Sequence, residues 1–341
     1  MFRSFGWIHR GIYALATLAS CNLRASDVLG AGATLPGPLY AKWAESYHRE
    51  TGVKVNYQPI GSGGGVKQIA AGTVDFGATD DPVKPAELAS LGLMQFPTVL
   101  AGIAVVANIR DVDASQLKLD GLTLSRIYLG EVVRWNDPQI AALNPQLLLP
   151  EQAINVVRRA DGSGSTALFT EYLAQSNPKW QAQVGVAKSV NWPVGIGGKG
   201  NEGVATYVKR IPGSVGYVEL LTAVKAKLQP LSLRNAAGVF VAPSPKTVSA
   251  AAANAQFDSS KGLAASLINR SGTDAWPLTA TTYVLMRRAD LNAPKSQSAL
   301  AFFRWAARSG RSDAEALLYV PLPDHVQSQV RVAIEGADSQ L

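Results

Sequence analysis

The fold is decided by the stretch VLGAGATLP, residues 28–36, in which a short extended run breaks into glycine and threonine and then meets a proline. Proline suits the first turn of a helix, and the apolar residues Leu39, Trp43 and Tyr47 follow it at a spacing of four. The stretch therefore predicts a strand near Val28–Gly30 and an amphipathic helix that starts at about its proline.

The pattern of a strand followed by a helix continues along the chain. Val53–Tyr57 alternates as a half-buried strand does, Val66, Ile69 and Ala70 begin the next predicted helix, and Val74–Ala78 is a third predicted strand. Such alternation favours an α/β architecture. Binding sites in open α/β sheets gather at the carboxyl ends of the strands, where the turns of this chain would lie.

Three turns are rich in Gly, Ser or Thr, and each opens a predicted helix: Gly30–Pro36, Gly61–Gly65 and Asp161–Thr166. A helix N-terminus leaves backbone N–H groups free and carries roughly half a positive charge. Glycine lets the backbone approach a ligand, and hydroxyls add donors. One such turn is usually only a helix cap, whereas three predict a site for a small oxyanion. The spacing around Lys67 is not that of a P-loop, so ATP binding is not supported.

Two apolar runs predict a division into two lobes. Thr98–Ala107 and Thr281–Met286 read as buried strands or crossings, and the βα unit of residues 154–173 lies between them. The chain would leave one lobe, build a second and return. The expected boundaries are residues 26–100 with 282–341 for the first lobe, and 101–281 for the second.

Residues 1–25 form a predicted export signal, with Arg3 and Arg10 before the short apolar stretch Gly11–Ala19. Two maturation sites compete. Cleavage after residue 25 would release the chain, whereas Leu18–Cys21 resembles a bacterial lipobox, in which the cysteine becomes lipid-modified. Either alternative predicts export to the periplasm, with a lipid anchor in the second case.

The composition excludes several classes of protein. The formal net charge of +7, three units of which come from the signal, suits small anions. No dense Lys/Arg run is interleaved with aromatics, so nucleic acid is not an expected partner. Cys21 is the single cysteine, so the mature chain has no disulfide. No segment after the signal reaches the ~18 uncharged apolar residues of a transmembrane helix.

The sequence gives little support for an enzymatic activity. The chain has no Gly-x-Ser-x-Gly elbow, no HExxH and no Cys/His metal spacing. His48 and His325 are the histidines that survive signal removal, and both are expected at the surface. A nucleophilic Ser163 would lack an evident base. We expect no metal and no cofactor.

Charged residues of two kinds restrict which anion the predicted site could bind. Arg159 ends a predicted strand and could fork onto two oxygens of a tetrahedral anion, with Asp161 as its ion-pair partner. Asp80 ends the third strand and would repel an anion, unless the anion keeps a proton that the carboxylate accepts. Plainer roles stay open: a surface Arg–Asp pair, and helix caps at Thr34 and Asp80.

Long motifs in this chain resemble those of the periplasmic phosphate-binding proteins of bacterial phosphate ABC transporters. The likeness runs from about residue 28 nearly to the C-terminus. The motifs that carry it are Gly30–Thr34, Tyr40–Trp43, Gly61–Gln68, Val74–Asp80, Arg158–Gly164, Gly197–Asn201 and Gly216–Glu219.

The resemblance implies a two-lobed periplasmic binding protein of type II, in which each lobe is a mixed sheet flanked by helices and the cleft between them closes on one dehydrated phosphate. Carried over by position, the implied ligands are the hydroxyl and amide of Thr34, the amide of Leu35, Ser62, Asp80, Arg159, Ser163, and the amides of Gly164 and Ser165. Asp161 would be the partner of Arg159. The family often has Phe at position 35 and Thr at position 165, and the residues present keep the contacting amides.

Four interpretations follow from the resemblance and its rivals. The implied one is a monomeric receptor that closes about hinges near residues 98–107 and 276–284, then docks on permease subunits served by a cytoplasmic ATPase. A receptor for sulfate or molybdate and a secreted phosphohydrolase using Ser163 are the alternatives. An adhesion or sensing lipoprotein is a further one.

Overall fold

The computed structural model describes residues 27–253 and 255–338. Both candidate maturation sites of the export signal, after residue 25 and at Cys21, lie outside the described residues. No helix within the described ranges is long and apolar enough to cross a bilayer.

The predicted alternation of strands and helices is confirmed. The strands are β1 Val28–Gly32, β2 Val55–Pro59, β3 Phe76–Thr79, β4 Leu93–Asn108, β5 Lys118–Leu119, β6 Asn155–Arg159, β7 Ile196–Gly198, β8 Ser214–Glu219, β9 Ser232–Arg234, β10 Phe240–Val241, β11 Thr279–Arg287 and β12 Val320–Pro321. The helices are α1 Gly37–Thr51, α2 Ser62–Ala70, α3 Pro85–Ser90, α4 Gly121–Leu129, α5 Pro138–Leu143, α6 Gly164–Ser176, α7 Pro178–Gln183, α8 Gly200–Arg210, α9 Leu220–Ala226, α10 Pro245–Ala252, α11 Pro294–Ser309, α12 Arg311–Ala316 and α13 Asp324–Asp338. Single 3₁₀ turns cover Ala114–Gln116, Ser259–Lys261 and Arg288–Asp290.

A mixed sheet in the order β2-β1-β3-β11-β4-β8-β6-β7 runs through the molecule, and β12 pairs with β4 beside it. The strands β1, β2 and β3 pair in parallel on one side, and β6 pairs in parallel with β7 and β8 on the other. The strands β11, β4 and β8 between them pair antiparallel. A second, small sheet has the order β10-β9-β5.

The long strand β4 belongs to both halves of the sheet. Its residues up to Gly102 pair with β11, and Ile103–Asn108 pair with β8. Nearly all of its side chains are buried, which agrees with its continuous apolar sequence. Between Gly102 and Ile103 the strand changes its partner from β11 to β8, and the fold is that of a two-lobed binding protein.

Each half has its own aromatic cluster. In the first, Tyr40 lies against Trp43, Tyr57, Phe76 and Phe303, with ring centroids 5.0–6.3 Å apart. The predicted apolar stripe of α1 is therefore buried in this core.

In the second half, Phe169 of α6 stacks on Tyr217 of β8 with centroids 4.2 Å apart. Tyr128 and Trp192 pack around this pair. Aromatic pairs of this kind contribute about 0.5–1.5 kcal/mol beyond their buried area.

The predicted start of the second helix was wrong. We expected it near Val66, whereas α2 already begins at Ser62 and includes the three glycines. A Cβ on Gly65 would lie 2.5 Å from the Cα of Gly32 in β1, so this glycine lets the helix rest directly on the sheet. Gly65 therefore serves packing within the protein, which is why the helix tolerates it despite a cost of about 1 kcal/mol.

Candidate functional site

The three Gly/Ser/Thr turns meet at the junction of the two halves. The first follows β1, the second is the start of α2, and the third is the start of α6. Every residue that the sequence singled out for the ligand is buried there, with exposed fractions of 7% or less wherever a side chain is polar: Thr34, Leu35, Ser62, Asp80, Arg159, Ser163, Gly164 and Ser165.

The first turn is fixed by bonds on both sides. The Ala33 amide donates to Ala78 O of β3 at 2.9 Å. The Tyr57 hydroxyl donates to Ala33 O and the Tyr319 hydroxyl to Leu35 O, each at 2.7 Å. Thr34 caps no helix, because α1 begins at Gly37 and has no side-chain cap. The structure therefore does not show the helix-cap role that was an alternative for Thr34.

Hydrogen bonds join the turns across the cleft, so the structure is a closed one. The Gly63 amide of α2 donates to Gly162 O at 2.9 Å. The Gly164 amide, which the resemblance assigns to the ligand, donates to Ser62 Oγ at 3.1 Å. At the rim, Lys188 Nζ lies 2.9 Å from Asp81 Oδ2.

Arg159 ends β6 and is 3% exposed. Its Nε donates to Asp161 Oδ1 at 2.8 Å, and its Nη2 pairs with Asp161 Oδ2. The Gly200 amide donates to the same carboxylate at 3.1 Å. Burial alone would raise the pKa of Asp161, but the hydrogen bond and charge of Arg159 outweigh burial and hold that pKa below its usual range. The fork is therefore fixed through Nε and Nη2, which leaves the Nη1 donors for a ligand.

Asp80 follows β3 directly and is 2% exposed. Its Oδ1 accepts the Thr282 hydroxyl at 2.7 Å. Burial raises the pKa of Asp80 to about 7, against the opposing effects of the Thr282 bond and the Arg159 charge. No helix is capped by Asp80, since α3 begins at Pro85 without a side-chain cap. Its second carboxylate oxygen is available to accept a proton-bearing oxygen of a ligand.

The serine hydroxyls are set up as donors. Ser62 Oγ accepts the amides of Asp80 and Gly164 at 3.2 and 3.1 Å, and Ser163 Oγ accepts the Thr166 amide at 3.2 Å. Because these oxygens accept from the backbone, their hydrogens remain to be donated. The Ser165 hydroxyl is buried in the first turn of α6 without a hydrogen-bond partner among the described residues. Since an unpaired buried hydroxyl costs free energy, this site suits a polar ligand.

His48 and His325 are exposed, as expected. No group of three or more His, Cys, Asp or Glu side chains with metal-binding geometry occurs within residues 27–253 and 255–338.

Sequence reasoning missed three residues that the structure brings to the site. Thr282 lies in a strand that was predicted from its apolar pattern, which gives no sign that its hydroxyl reaches Asp80. Asn201 lies in a motif that carried the resemblance but was given no role, and its Nδ2 donates to Thr34 Oγ1 at 3.2 Å. Lys188 lies in a loop whose sequence shows no pattern that predicts a functional residue.

Two halves that share a strand and close on a buried polar cleft define the class of two-lobed solute-binding proteins. The model of the PBP superfamily domain matches residues 20–309. The phosphate-binding protein PstS of Pasteurella multocida is 47% identical over 321 residues, 93% of this chain and 93% of that protein. The one of Haemophilus influenzae is 47% identical over 320 residues, 94% of this chain and 96% of that protein.

The chain therefore belongs to the PstS family of phosphate-binding proteins. The fold is also found in a solved structure of a putative phosphate ABC transporter substrate-binding protein with bound phosphate from Clostridium perfringens. That structure is 17% identical, with a TM-score of 0.64, and the match covers 87% of this chain and 100% of the other.

Proposed function

We propose that this chain binds inorganic phosphate in the closed cleft and delivers it to an ABC transporter for phosphate import. The observation that carries the proposal is Asp80, a buried carboxylate among hydrogen-bond donors and an arginine. Such a group fits an anion that keeps a proton, as phosphate does at neutral pH, and repels one that has lost all its protons. The names and close similarity of the PstS relatives support the same function.

The proposed ligand set divides by chemical role. Arg159 neutralises charge, Asp80 accepts the ligand's proton, and Asp161 orients Arg159. The remaining proposed contacts are donors: the hydroxyl and amide of Thr34, the amide of Leu35, the hydroxyls of Ser62 and Ser163, and the amides of Gly164 and Ser165. In this closed structure the Gly164 amide donates to Ser62 Oγ, so its proposed contact with the ligand requires that bond to be shared or exchanged. Their burial at one junction supports this set.

The two lobes of the proposed receptor are residues 26–100 with 282–341, and residues 101–281. Closure would use the crossings near 98–107 and 276–284. The exchange of partners along β4 supports a crossing there. The proposal includes a monomer, exported to the periplasm, that docks on permease subunits driven by a cytoplasmic ATPase. Lipid attachment at Cys21 is a variant of the same proposal.

The rival functions have less support. A receptor for a fully ionised oxyanion such as sulfate would not benefit from Asp80. A phosphohydrolase that used Ser163 would need a base beside that hydroxyl. The Ser163 Oγ accepts the Thr166 amide, and the two candidate bases His48 and His325 are exposed. We therefore propose no enzymatic activity for this chain.

Calorimetric titration with phosphate and with sulfate at about pH 9 tests the proposal, because Asp80, whose pKa burial raises to about 7, is ionised there while phosphate still keeps a proton. We expect one phosphate per chain and sulfate binding weaker by at least about 100-fold, because a like-charge contact costs several kcal/mol. Equal affinities for the two anions would contradict the role given to Asp80, and heat from neither would contradict the proposal as a whole.

Gly164→Ala is expected to keep the cleft from closing. A Cβ at this position would lie 2.7 Å from Asp80 Cβ and from Ser62 Oγ, both across the cleft. Overpacking of this kind costs about 1–3 kcal/mol, so phosphate binding should weaken roughly 5- to 140-fold. Titration measures the loss, and small-angle scattering with phosphate should report a larger radius of gyration than for the unmodified chain.

Gly162→Ala is the matched control for this clash. Its Cβ would lie 3.4 Å from the Cα of Gly63, which is ordinary van der Waals contact. Its affinity should stay within about threefold of the starting value. If both glycine variants bind phosphate alike, close packing at Gly164 does not limit closure.

Lys188→Ala should weaken phosphate binding only slightly. The Lys188–Asp81 pair spans the rim but is partly exposed, and such pairs contribute at most about 1 kcal/mol, roughly a fivefold change in affinity. Lys179→Ala is the control, because Lys179 pairs with Glu131 away from the cleft. The difference between the two variants should shrink at high salt, and a difference that salt leaves unchanged would argue against an ion-pair latch.

A further inference from the structure

Asn201, the last residue of the motif Gly197–Asn201, has so far no part in the proposed binding, yet it contributes a buried polar side chain to the cleft. Asn201 is the second residue of α8 and is 1% exposed. The helix packs against β6, β7 and β8, on the other side of the cleft from Thr34. A fully buried amide must have its polar atoms paired, so its two partners tell what it does.

The orientation of the Asn201 amide follows from its bond to Glu219. The Glu219 backbone N–H donates to Asn201 Oδ1 at 3.1 Å. Only the oxygen end of an amide accepts a hydrogen bond, so the nitrogen end must face the other partner. Glu219 is itself fixed by its pairing with Ile103 in β4. The sheet therefore sets which end of Asn201 points across the cleft.

That nitrogen end determines what the Thr34 hydroxyl does. Asn201 Nδ2 donates to Thr34 Oγ1 at 3.2 Å. A hydroxyl has one hydrogen and two lone pairs. Because Asn201 has no acceptor facing Thr34, the hydroxyl accepts from it and keeps its own hydrogen to donate elsewhere. Thr34 is 7% exposed, so water competes little for that hydrogen.

We propose that Asn201 is a positioning residue that holds the Thr34 hydroxyl as a donor to the bound oxyanion. The inference rests on the proposed phosphate binding. Asn201 acts only through Thr34 and does not touch the ligand. Since the two residues lie on opposite sides of the cleft, the bond forms when the cleft closes, and closure thereby prepares the donor.

A double-mutant cycle on phosphate affinity tests this role. Asn201→Ala and Thr34→Val should each weaken binding by about tenfold, and the double variant should bind within about twofold of Thr34→Val alone. A role of Asn201 in the fold that does not pass through Thr34 would make the two losses multiply, because Asn201→Ala would then act equally with or without the Thr34 hydroxyl. Multiplied losses overturn the proposal.

The controls separate this result from loss of fold and from failure of the proposed function. Asn144 is also fully buried but bonds Lys118 and Ile140 away from the cleft, so Asn144→Ala should show no coupling to Thr34→Val. If Asn201→Ala does not fold, Asn201→Ser replaces it, because its hydroxyl is too short to reach Thr34. No phosphate binding by the unmodified chain would refute the proposed function, whereas normal binding with multiplied losses would refute the role of Asn201.

Discussion

Arg159→Lys is expected to weaken phosphate binding roughly 30- to 700-fold. Lysine keeps the charge but is a single point donor, and it cannot bind Asp161 in a fork and reach the ligand at the same time. Arg159 makes both bonds to Asp161 from Nε and Nη2 while it is 3% exposed. Disrupting a buried charged pair in a binding site costs about 2–4 kcal/mol, which corresponds to the expected range.

The control for this variant is Arg158→Lys, the same substitution one residue earlier on β6. Arg158 is only partly buried, and its Nη1 donates to the Arg159 carbonyl at 3.3 Å, away from the proposed ligand set. Its phosphate affinity should stay within about twofold. Titration of both variants decides the matter: if Arg159→Lys binds phosphate within threefold of the unmodified chain, the guanidinium fork is not what recognises the anion.

Asp80→Asn is expected to remove most of the discrimination between phosphate and sulfate. Asp80 Oδ1 accepts the Thr282 hydroxyl at 2.7 Å, so an asparagine would keep its oxygen there and turn its NH₂ toward the ligand. That group donates to an anion whether or not the anion carries a proton. The ratio of the sulfate to the phosphate dissociation constant should therefore fall by about 100-fold, since the like-charge contact costs several kcal/mol.

The neighbouring carboxylate supplies the control. Asp81→Asn removes a charge next to Asp80 but breaks only the rim pair with Lys188, which acts on both anions alike. Its sulfate to phosphate ratio should change by less than about threefold. If Asp80→Asn leaves this ratio unchanged, a group other than Asp80 discriminates between phosphate and sulfate.

Asp80 also gives the ligand-free protein a defined pH dependence. Burial raises the pKa of Asp80 from 3.8 to about 7, so the folded chain favours the protonated carboxyl. The stabilising contribution of this group is fully present below its unfolded pKa and is lost as the pH rises through about 7. Asparagine does not titrate. Thermal unfolding should therefore show Asp80→Asn gaining stability relative to the unmodified chain between pH 4 and pH 8.

Much of the fold follows from the sequence because its signals are local. The stripe of Leu39, Trp43 and Tyr47 and the continuous apolar run of β4 reflect burial within single elements. The start of α2 was missed because Gly65 is required by contact with Gly32, a residue more than thirty positions earlier. Intrinsic helix propensity argues against three glycines, and tertiary packing overrides it.

The residues of the candidate site also divide into those with a local signal in the sequence and those without one. Asp80 and Arg159 were visible because each stands at the carboxyl end of a strand next to a Gly/Ser/Thr turn. Thr282 and Asn201 act over 202 and 167 residues of sequence separation, and nothing near them in the chain marks their partners. Which residues orient a ligand-binding group depends on contacts that the fold makes between distant parts of the chain. Their role therefore becomes evident only in the three-dimensional structure.

A crystal structure of the chain grown with phosphate at neutral pH tests the central claim most directly. The account predicts one phosphate enclosed between the lobes, with its oxygens within hydrogen-bond distance of Arg159 and Ser62 and one of them facing the Asp80 carboxylate. Phosphate bound outside the cleft, or a closed cleft without phosphate at saturating concentration, would contradict it.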